Sequence, residues 1–124
     1  ADPRHEGLMV LVADSFKELV LESKENVFVM VHAPWCEACQ AVKPHFQRLA
    51  KMLKGAENLR IAVLDSDENS VNKRFFPEPF IPNVKLFLAG KKGTPLVCNT
   101  EKTFEAYARF LEQHAGVTLT GAVE

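Results

Sequence analysis

The sequence lacks the features that mark several large classes of protein. No apolar run approaches the roughly 18 residues that a membrane-spanning helix needs. Acidic and basic residues nearly cancel to a net charge of −1, and no basic cluster occurs, so neither nucleic acid nor direct membrane contact is expected. Three cysteines are too few for a disulfide framework. Internal repeats and low-complexity segments are also missing.

The size and composition suit one globular domain. The chain has 124 residues, of which 47% are hydrophobic, enough for a buried core but not for a second domain. The first three residues, Ala1-Asp2-Pro3, are typical of a cloning remnant.

The most informative stretch joins a buried strand to a pair of cysteines. The apolar run 27–33 ends at Pro34-Trp35, and Cys36-x-x-Cys39 then opens a helical pattern. Unpaired backbone N–H groups and the helix dipole stabilise a Cys36 thiolate there. Cys39 follows one helical turn later and is predicted to be more buried. The pattern favours thiol–disulfide exchange, in which Cys36 attacks and Cys39 resolves the mixed disulfide.

The remaining periodicity predicts an α/β sheet with further strands on both sides of this stretch. Helices are predicted with an N-cap at Asp14 or Ser15, from Cys36 to a cap at Gly55 with a kink at Pro44, from Asp67 towards Phe76, and from about Phe104 to Gly116. The predicted strands are 8–12, 27–33, 59–65, 84–89 and 96–98.

The order βαβαβαββα, with Cys-x-x-Cys opening the second helix, resembles the thioredoxin fold. More closely, the chain resembles a catalytic a-type domain of the protein disulfide isomerase family. Ala33-Pro34-Trp35-Cys36-x-x-Cys39 matches the family's Ala-Pro-Trp-Cys-Gly-His-Cys, and Ile81-Pro82-Asn83-Val84-Lys85-Leu86-Phe87 is similar to its Tyr-Pro-Thr-Leu-Lys-Phe-Phe. The resemblance implies a central mixed sheet flanked by helices on both faces. It also implies a domain over 7–116, with 1–6 and 117–124 as flexible termini.

The resemblance also implies the layout of the site. Pro82 should be a cis proline packed against Cys36 and Cys39, which leaves Ile81 free to pair with an extended substrate chain. Trp35 should form an apolar platform beside the cysteines. No cofactor and no metal is expected beyond the redox pair itself.

Two residues between the cysteines depart from the family. Glu37 and Ala38 replace the usual Gly-His. A histidine there stabilises the reduced thiolate, whereas the Glu37 carboxylate disfavours it, so we expect a weaker oxidant than a Gly-His domain.

Three further departures lie elsewhere. Met30 replaces a buried glutamate that resembles a proton acceptor for the second cysteine, so mixed disulfides should resolve slowly. Lys102 stands where the family has an arginine, keeping the charge but losing the planar fork. Asn83 replaces threonine after Pro82, with no evident effect.

By resemblance, the expected partners are unfolded or cysteine-containing proteins, together with glutathione or an upstream oxidase or reductase. The expected compartment is the endoplasmic reticulum lumen, although the sequence shows no targeting or retention signal, and further domains of a longer chain are expected. The alternative is a chaperone-like binding module with slow redox chemistry. Both cysteines being present favours the enzyme.

Simpler interpretations stand beside these. Cys36 and Cys39 can be half of a zinc site or an inert disulfide, and Cys98 a small buried apolar residue rather than a regulatory thiol. His32 can influence the site or merely end its strand. Phe75, Phe76 and Phe80 can form an exposed patch for unfolded substrates or anchor a loop in the core.

Overall fold

The computed structural model describes residues 7–119 as a five-stranded sheet with three helices. The strands are β1 Leu8–Leu11, β2 Asn26–His32, β3 Leu59–Asp65, β4 Asn83–Phe87 and β5 Leu96–Val97. The helices are α1 Ala13–Phe16, which continues as a π-helical turn Lys17–Leu21, α2 Glu37–Met52 and α3 Phe104–Ala115.

The sheet is mixed, as predicted, with the strand order β1-β3-β2-β4-β5. Strands β1, β3 and β2 run parallel, whereas β4 is antiparallel to both β2 and β5. Strand β2 lies at the centre and is buried from Val27 to His32. This explains its continuous apolar run, since a strand covered on both faces has no solvent side.

Helices cover both faces of the sheet, which confirms the predicted layering. Side chains of α2 and α3 pack on one face, where the Phe28 and Phe46 rings stack with centroids 5.1 Å apart. On the other face, Phe16 of α1 contacts Phe75, Phe76 and Phe87.

The helix predicted between Asp67 and Phe76 is wrong: residues 66–82, all of which the structure describes, contain turns and no helix. Side chains offer the backbone other partners there. The Asp67 amide donates to Asp65 Oδ1 at 2.8 Å, and the Asn69 side chain donates to the Asp65 carbonyl at 3.1 Å.

Two predicted helix caps are also wrong. Helix α2 ends at Met52 with Leu53 at the C-cap, so Gly55 lies beyond it. In α1 the N-cap position is Val12, whose amide donates to the Ser15 hydroxyl, so Asp14 and Ser15 lie inside the first turn.

The chain contributes to the core beyond the predicted boundary at residue 116. Leu119 is buried against the core, and its amide donates to Glu112 Oε2 at 2.6 Å. Flexible termini were expected at 1–6 and 117–124, and of these residues 1–6 and 120–124 lie outside the described part of the chain. Between residues 7 and 119 no helix is long and apolar enough to cross a membrane.

Truncating the stacked Phe46 should test this core. We expect Phe46→Ala to lower the free energy of unfolding by about 3–5 kcal/mol, because it opens a cavity under α2. The matched control is Phe80→Ala, since Phe80 is already exposed and should change stability by less than about 0.5 kcal/mol. Denaturant unfolding measures both, and equal losses would contradict the assignment of the core.

Candidate active site

Cys36 and Cys39 form a disulfide at the start of α2, with their Cα atoms 5.2 Å apart. Cys36 occupies the N-cap position in an extended conformation, and its Sγ accepts the Cys39 amide at 3.1 Å. Such a donor stabilises negative charge on sulfur, so in the dithiol form this position favours the Cys36 thiolate. Cys39 is the more buried of the two, as predicted, at 1% exposed against 7%.

The Ile81–Pro82 peptide bond is cis, as the resemblance implies. The Ile81 carbonyl oxygen lies 4.0 Å from Cys36 Sγ. The Ile81 side chain packs against Ala33, Cys36 and Cys39. The segment before β4 therefore borders the disulfide directly.

Trp35 is exposed and tethered rather than packed inside. Its Nε1 donates to Asp67 Oδ1 at 3.0 Å, and 68% of the residue is exposed. Its indole thus forms an apolar surface beside the cysteines, and the hydrogen bond to Asp67, which follows β3, holds it in place. Glu37, in the first turn of α2, is exposed as well.

A groove of about 570 Å³ lies beside the active-site turn and reaches α3. Ala38 and Lys102 line it together with Pro82, so two of the residues predicted to tune the site share one surface with the cis proline, whereas Glu37 and Trp35 do not line it. Its lining also includes Phe80, Ile81, Asn83, Val84, Val97, Cys98, Asn99, Thr100 and Tyr107.

The three phenylalanines before Pro82 divide between core and surface. Phe75 and Phe76 are buried, which for these two favours the loop-anchor interpretation over the exposed patch. Phe80 is 57% exposed and lines the groove.

Cys98 is partly buried in the groove wall, with its Sγ 3.6 Å from the Thr100 hydroxyl. Burial raises the pKa of this thiol, which keeps it protonated and unreactive. The interpretation as a mostly apolar packing residue fits this environment better than a regulatory thiol.

Met30 is fully buried in β2. Its neighbours across the sheet are Val63 on β3 and Val84 on β4. Met30, at the position where the family has a buried glutamate, is therefore enclosed by apolar residues of the neighbouring strands.

His32, at the end of the same strand, is buried, and its Nδ1 has no hydrogen-bond partner among the described residues. Burial lowers the pKa of this imidazole and the positive charge of Lys43 lowers it further, while Asp65 opposes both effects. His32 is therefore neutral at neutral pH.

Glu78, Asn83 and Lys85 form a partly buried polar cluster beside Pro82 that the sequence did not predict. Glu78 accepts hydrogen bonds from Asn83 Nδ2 at 3.0 Å and from Lys85 Nζ, and Lys85 also donates to the Phe75 carbonyl at 2.9 Å. These contacts hold the loop that carries Pro82 to β4 and give Asn83 a function. The available signal was a lysine inside the apolar strand Val84–Phe87, since a buried lysine needs a partner.

The described residues contain no group of three His, Cys, Asp or Glu side chains placed to hold a metal ion. The Cys36–Cys39 disulfide itself can undergo thiol–disulfide exchange.

Comparison with known proteins agrees with this geometry. The family model described as Thioredoxin matches residues 7–112. Similar curated proteins include Protein disulfide isomerase-like 1-4 of Arabidopsis thaliana, 35% identical over 113 residues, which cover 90% of this chain and 19% of that protein. Protein disulfide-isomerases of Aspergillus oryzae and Oryctolagus cuniculus are also each 35% identical, over 85% and 83% of this chain. The chain spans about a fifth of the length of these relatives.

The Glu78 cluster should make stability depend on acid pH. Its hydrogen bonds lower the pKa of Glu78 from 4.5 to about 2, so the stabilisation is complete above about pH 4.5 and is lost as pH falls towards 2. At pH 7 we expect Glu78→Gln to lower the free energy of unfolding by about 1–2 kcal/mol, since the partly exposed carboxylate is screened by solvent.

Denaturant unfolding at pH 7 and near pH 2 measures this difference. The control is Glu57→Gln at an exposed loop position. A deficit for Glu78→Gln that stayed the same at both pH values would contradict the assignment.

Proposed function

Because this chain belongs to the thioredoxin family, we propose that it is a thiol–disulfide oxidoreductase and isomerase domain acting on cysteines of protein substrates. The observation that carries the proposal is a disulfide at a helix N-terminus, bordered by a cis proline and an open groove. The relatives named protein disulfide-isomerase support the same chemistry.

Cys36 is the nucleophile in this proposal and Cys39 is the resolving thiol. In the dithiol form, the Cys36 thiolate attacks a substrate disulfide, and one substrate sulfur leaves as a thiolate. Cys39 then attacks Cys36 Sγ, forming the Cys36–Cys39 bond and releasing the second substrate thiolate, so the substrate gains the two electrons that the pair loses. The reverse sequence oxidises a substrate dithiol. The greater burial of Cys39 supports this division of work.

The substrate chain lies along Ile81 and Pro82 in our proposal. The Ile81 carbonyl borders Cys36 Sγ, so a chain paired with this segment carries its own cysteine to the reacting sulfur. Trp35 and Phe80, both exposed, supply apolar contact on either side, and Lys102 adds a positive charge at the groove. Main-chain pairing suits an enzyme that accepts many proteins.

A binding module is the second candidate. Phe80 and Val97 are each more than half exposed and line the same groove, a surface that suits unfolded chains. A chaperone-like domain would protect a client from aggregation equally well when Cys36 and Cys39 are both changed to serine. An oxidoreductase would lose its turnover.

The proposed setting is the endoplasmic reticulum lumen, where glutathione or an upstream oxidase or reductase would recycle the pair. The relatives are about five times longer than this chain, which supports a place for the domain beside others in a longer protein.

Removing the resolving thiol should trap substrates. We expect Cys39→Ser to accumulate mixed disulfides with a reduced and re-oxidising client protein, because Cys36 still attacks but no second thiol releases the client. Non-reducing gels and intact mass measure the adduct. Cys36→Ser is the matched control and should form none, and adducts of equal yield in both variants would contradict the assigned order.

Restoring the family's residues between the cysteines should make the disulfide more oxidising. We expect Glu37→Gly with Ala38→His to raise the reduction potential by at least about 30 mV, since the change removes a repelling carboxylate and adds a thiolate-stabilising imidazole. Equilibration in graded glutathione buffers measures the potential, with Glu57→Gln as a distant charge control. An unmoved potential would contradict the tuning role of Glu37 and Ala38.

A further inference from the structure

The buried imidazole of His32 is an unusual feature near the disulfide. His32 is 7% exposed, and its Nδ1 has no hydrogen-bond partner among the described residues. A buried polar atom without a partner costs free energy, so such atoms are rare in folded proteins. In the neutral tautomer that carries its hydrogen on Nε2, the Nδ1 lone pair is free to accept a proton.

His32 lies on β2 and Cys39 on α2, at the same end of the sheet, and these two elements pack against each other. Side chains alternate along β2, so His32 shares the face of Phe28 and Met30, which α2 covers through Val42 and Phe46. Cys39 belongs to that same buried face of α2, one turn before Val42.

Two further observations place the end of β2 beside the cysteines. Ala33, the residue after His32, belongs to the same packed cluster as Cys36 and Cys39, so the backbone that carries His32 ends next to the pair. Lys43 lies one helical turn after Cys39, and its positive charge lowers the pKa of His32, so the first turns of α2 lie within electrostatic range of the ring.

The charged groups that act on the ring are Lys43 from α2 and Asp65 from β3, the register partner of His32. Lys43 and burial favour the neutral ring, and Asp65 stabilises the imidazolium once a proton arrives. This combination suits a base that is neutral at rest and charged briefly.

We infer that His32 is the proton acceptor for the Cys39 thiol when the mixed disulfide resolves, an inference that rests on the proposed oxidoreductase function. Met30 cannot accept a proton, and its strand neighbours Val63 and Val84 cannot either. The chain thus places a base two residues along β2 from Met30, on the same face of the strand.

The proton moves from Cys39 Sγ to the imidazole, and the Cys39 thiolate attacks Cys36 Sγ of the mixed disulfide. The Cys36–Cys39 bond forms while the bond from Cys36 to the substrate sulfur breaks, and the electron pair leaves with the substrate thiolate. That thiolate takes a proton from water, and His32 later returns its own proton to water.

The test follows the two chemical steps separately. Reduced protein is mixed with oxidised glutathione, quenched with acid at intervals, and analysed by intact mass between pH 5 and pH 8. We expect His32→Gln to slow the decay of the glutathione adduct about tenfold or more at pH 7. The wild-type rate should decline on acidification at a pH below the ordinary imidazole pKa, because burial lowers the pKa of His32, and this decline should be absent from the variant.

Two controls isolate the effect. In a Cys39→Ser background, the rate at which Cys36 forms the adduct should be the same with and without His32→Gln. His45→Gln, at a half-buried position on α2, should leave resolution unchanged. Resolution of His32→Gln at the wild-type rate and with the wild-type pH profile overturns the inference and leaves the proposed function intact. Failure of the wild-type protein to form any adduct overturns the proposed function instead.

A second measurement tests the inference even if His32→Gln fails to fold. The imidazole of His32 is titrated by NMR in the reduced protein and in Cys39→Ala. We expect the titration midpoint of His32 to differ between the two proteins, since a thiol that shares its proton perturbs the ring. Identical titration curves overturn the inference.

Discussion

The antiparallel register between β2 and β4 holds the two halves of the site together. Val31 lies opposite Asn83 in this register, so the end of β2 that leads to Cys36 meets the start of β4, which Pro82 precedes. Strand β2 is also fixed on its other side by seven parallel pairs with β3. A slip of one residue would invert every side chain of a strand buried on both faces, so packing makes this register obligatory.

The polar side chains around that junction differ between its two sides. Behind the cis proline, Glu78, Asn83 and Lys85 satisfy one another and fix the loop. Beneath the cysteines the strand offers Met30, an apolar residue, and His32, a base with a free nitrogen. The β4 side of the site therefore supports substrate binding, whereas β2 supplies the proton acceptor. A substitution in one strand need not disturb the role of the other.

Features that depend on short stretches of sequence could be predicted, and features that depend on contacts between distant residues could not. The cysteine pair at a helix start and the apolar β2 were predicted correctly, because periodicity and motif spacing act within short windows, whereas the mixed sheet followed from the family resemblance. The turns at residues 66–76 were missed because Asp65 and Asn69 compete for backbone partners that a helical pattern does not reveal. The cluster of Glu78 with Lys85 had a signal in the lysine inside an apolar strand, but the sequence did not identify its partner. The burial of Phe75 depends on packing against Phe16 and Phe87 across the fold, which no local pattern encodes.

The reduction potential of the Cys36–Cys39 pair tests the central claim most directly. The purified domain is equilibrated in graded glutathione buffers, its thiols are trapped and the products are counted by mass. A reversible two-electron transition between about −180 and −270 mV, the range that separates protein disulfide isomerase from thioredoxin, is the result this account predicts. A pair that stays reduced in every buffer would contradict it and would leave the groove as a binding surface only.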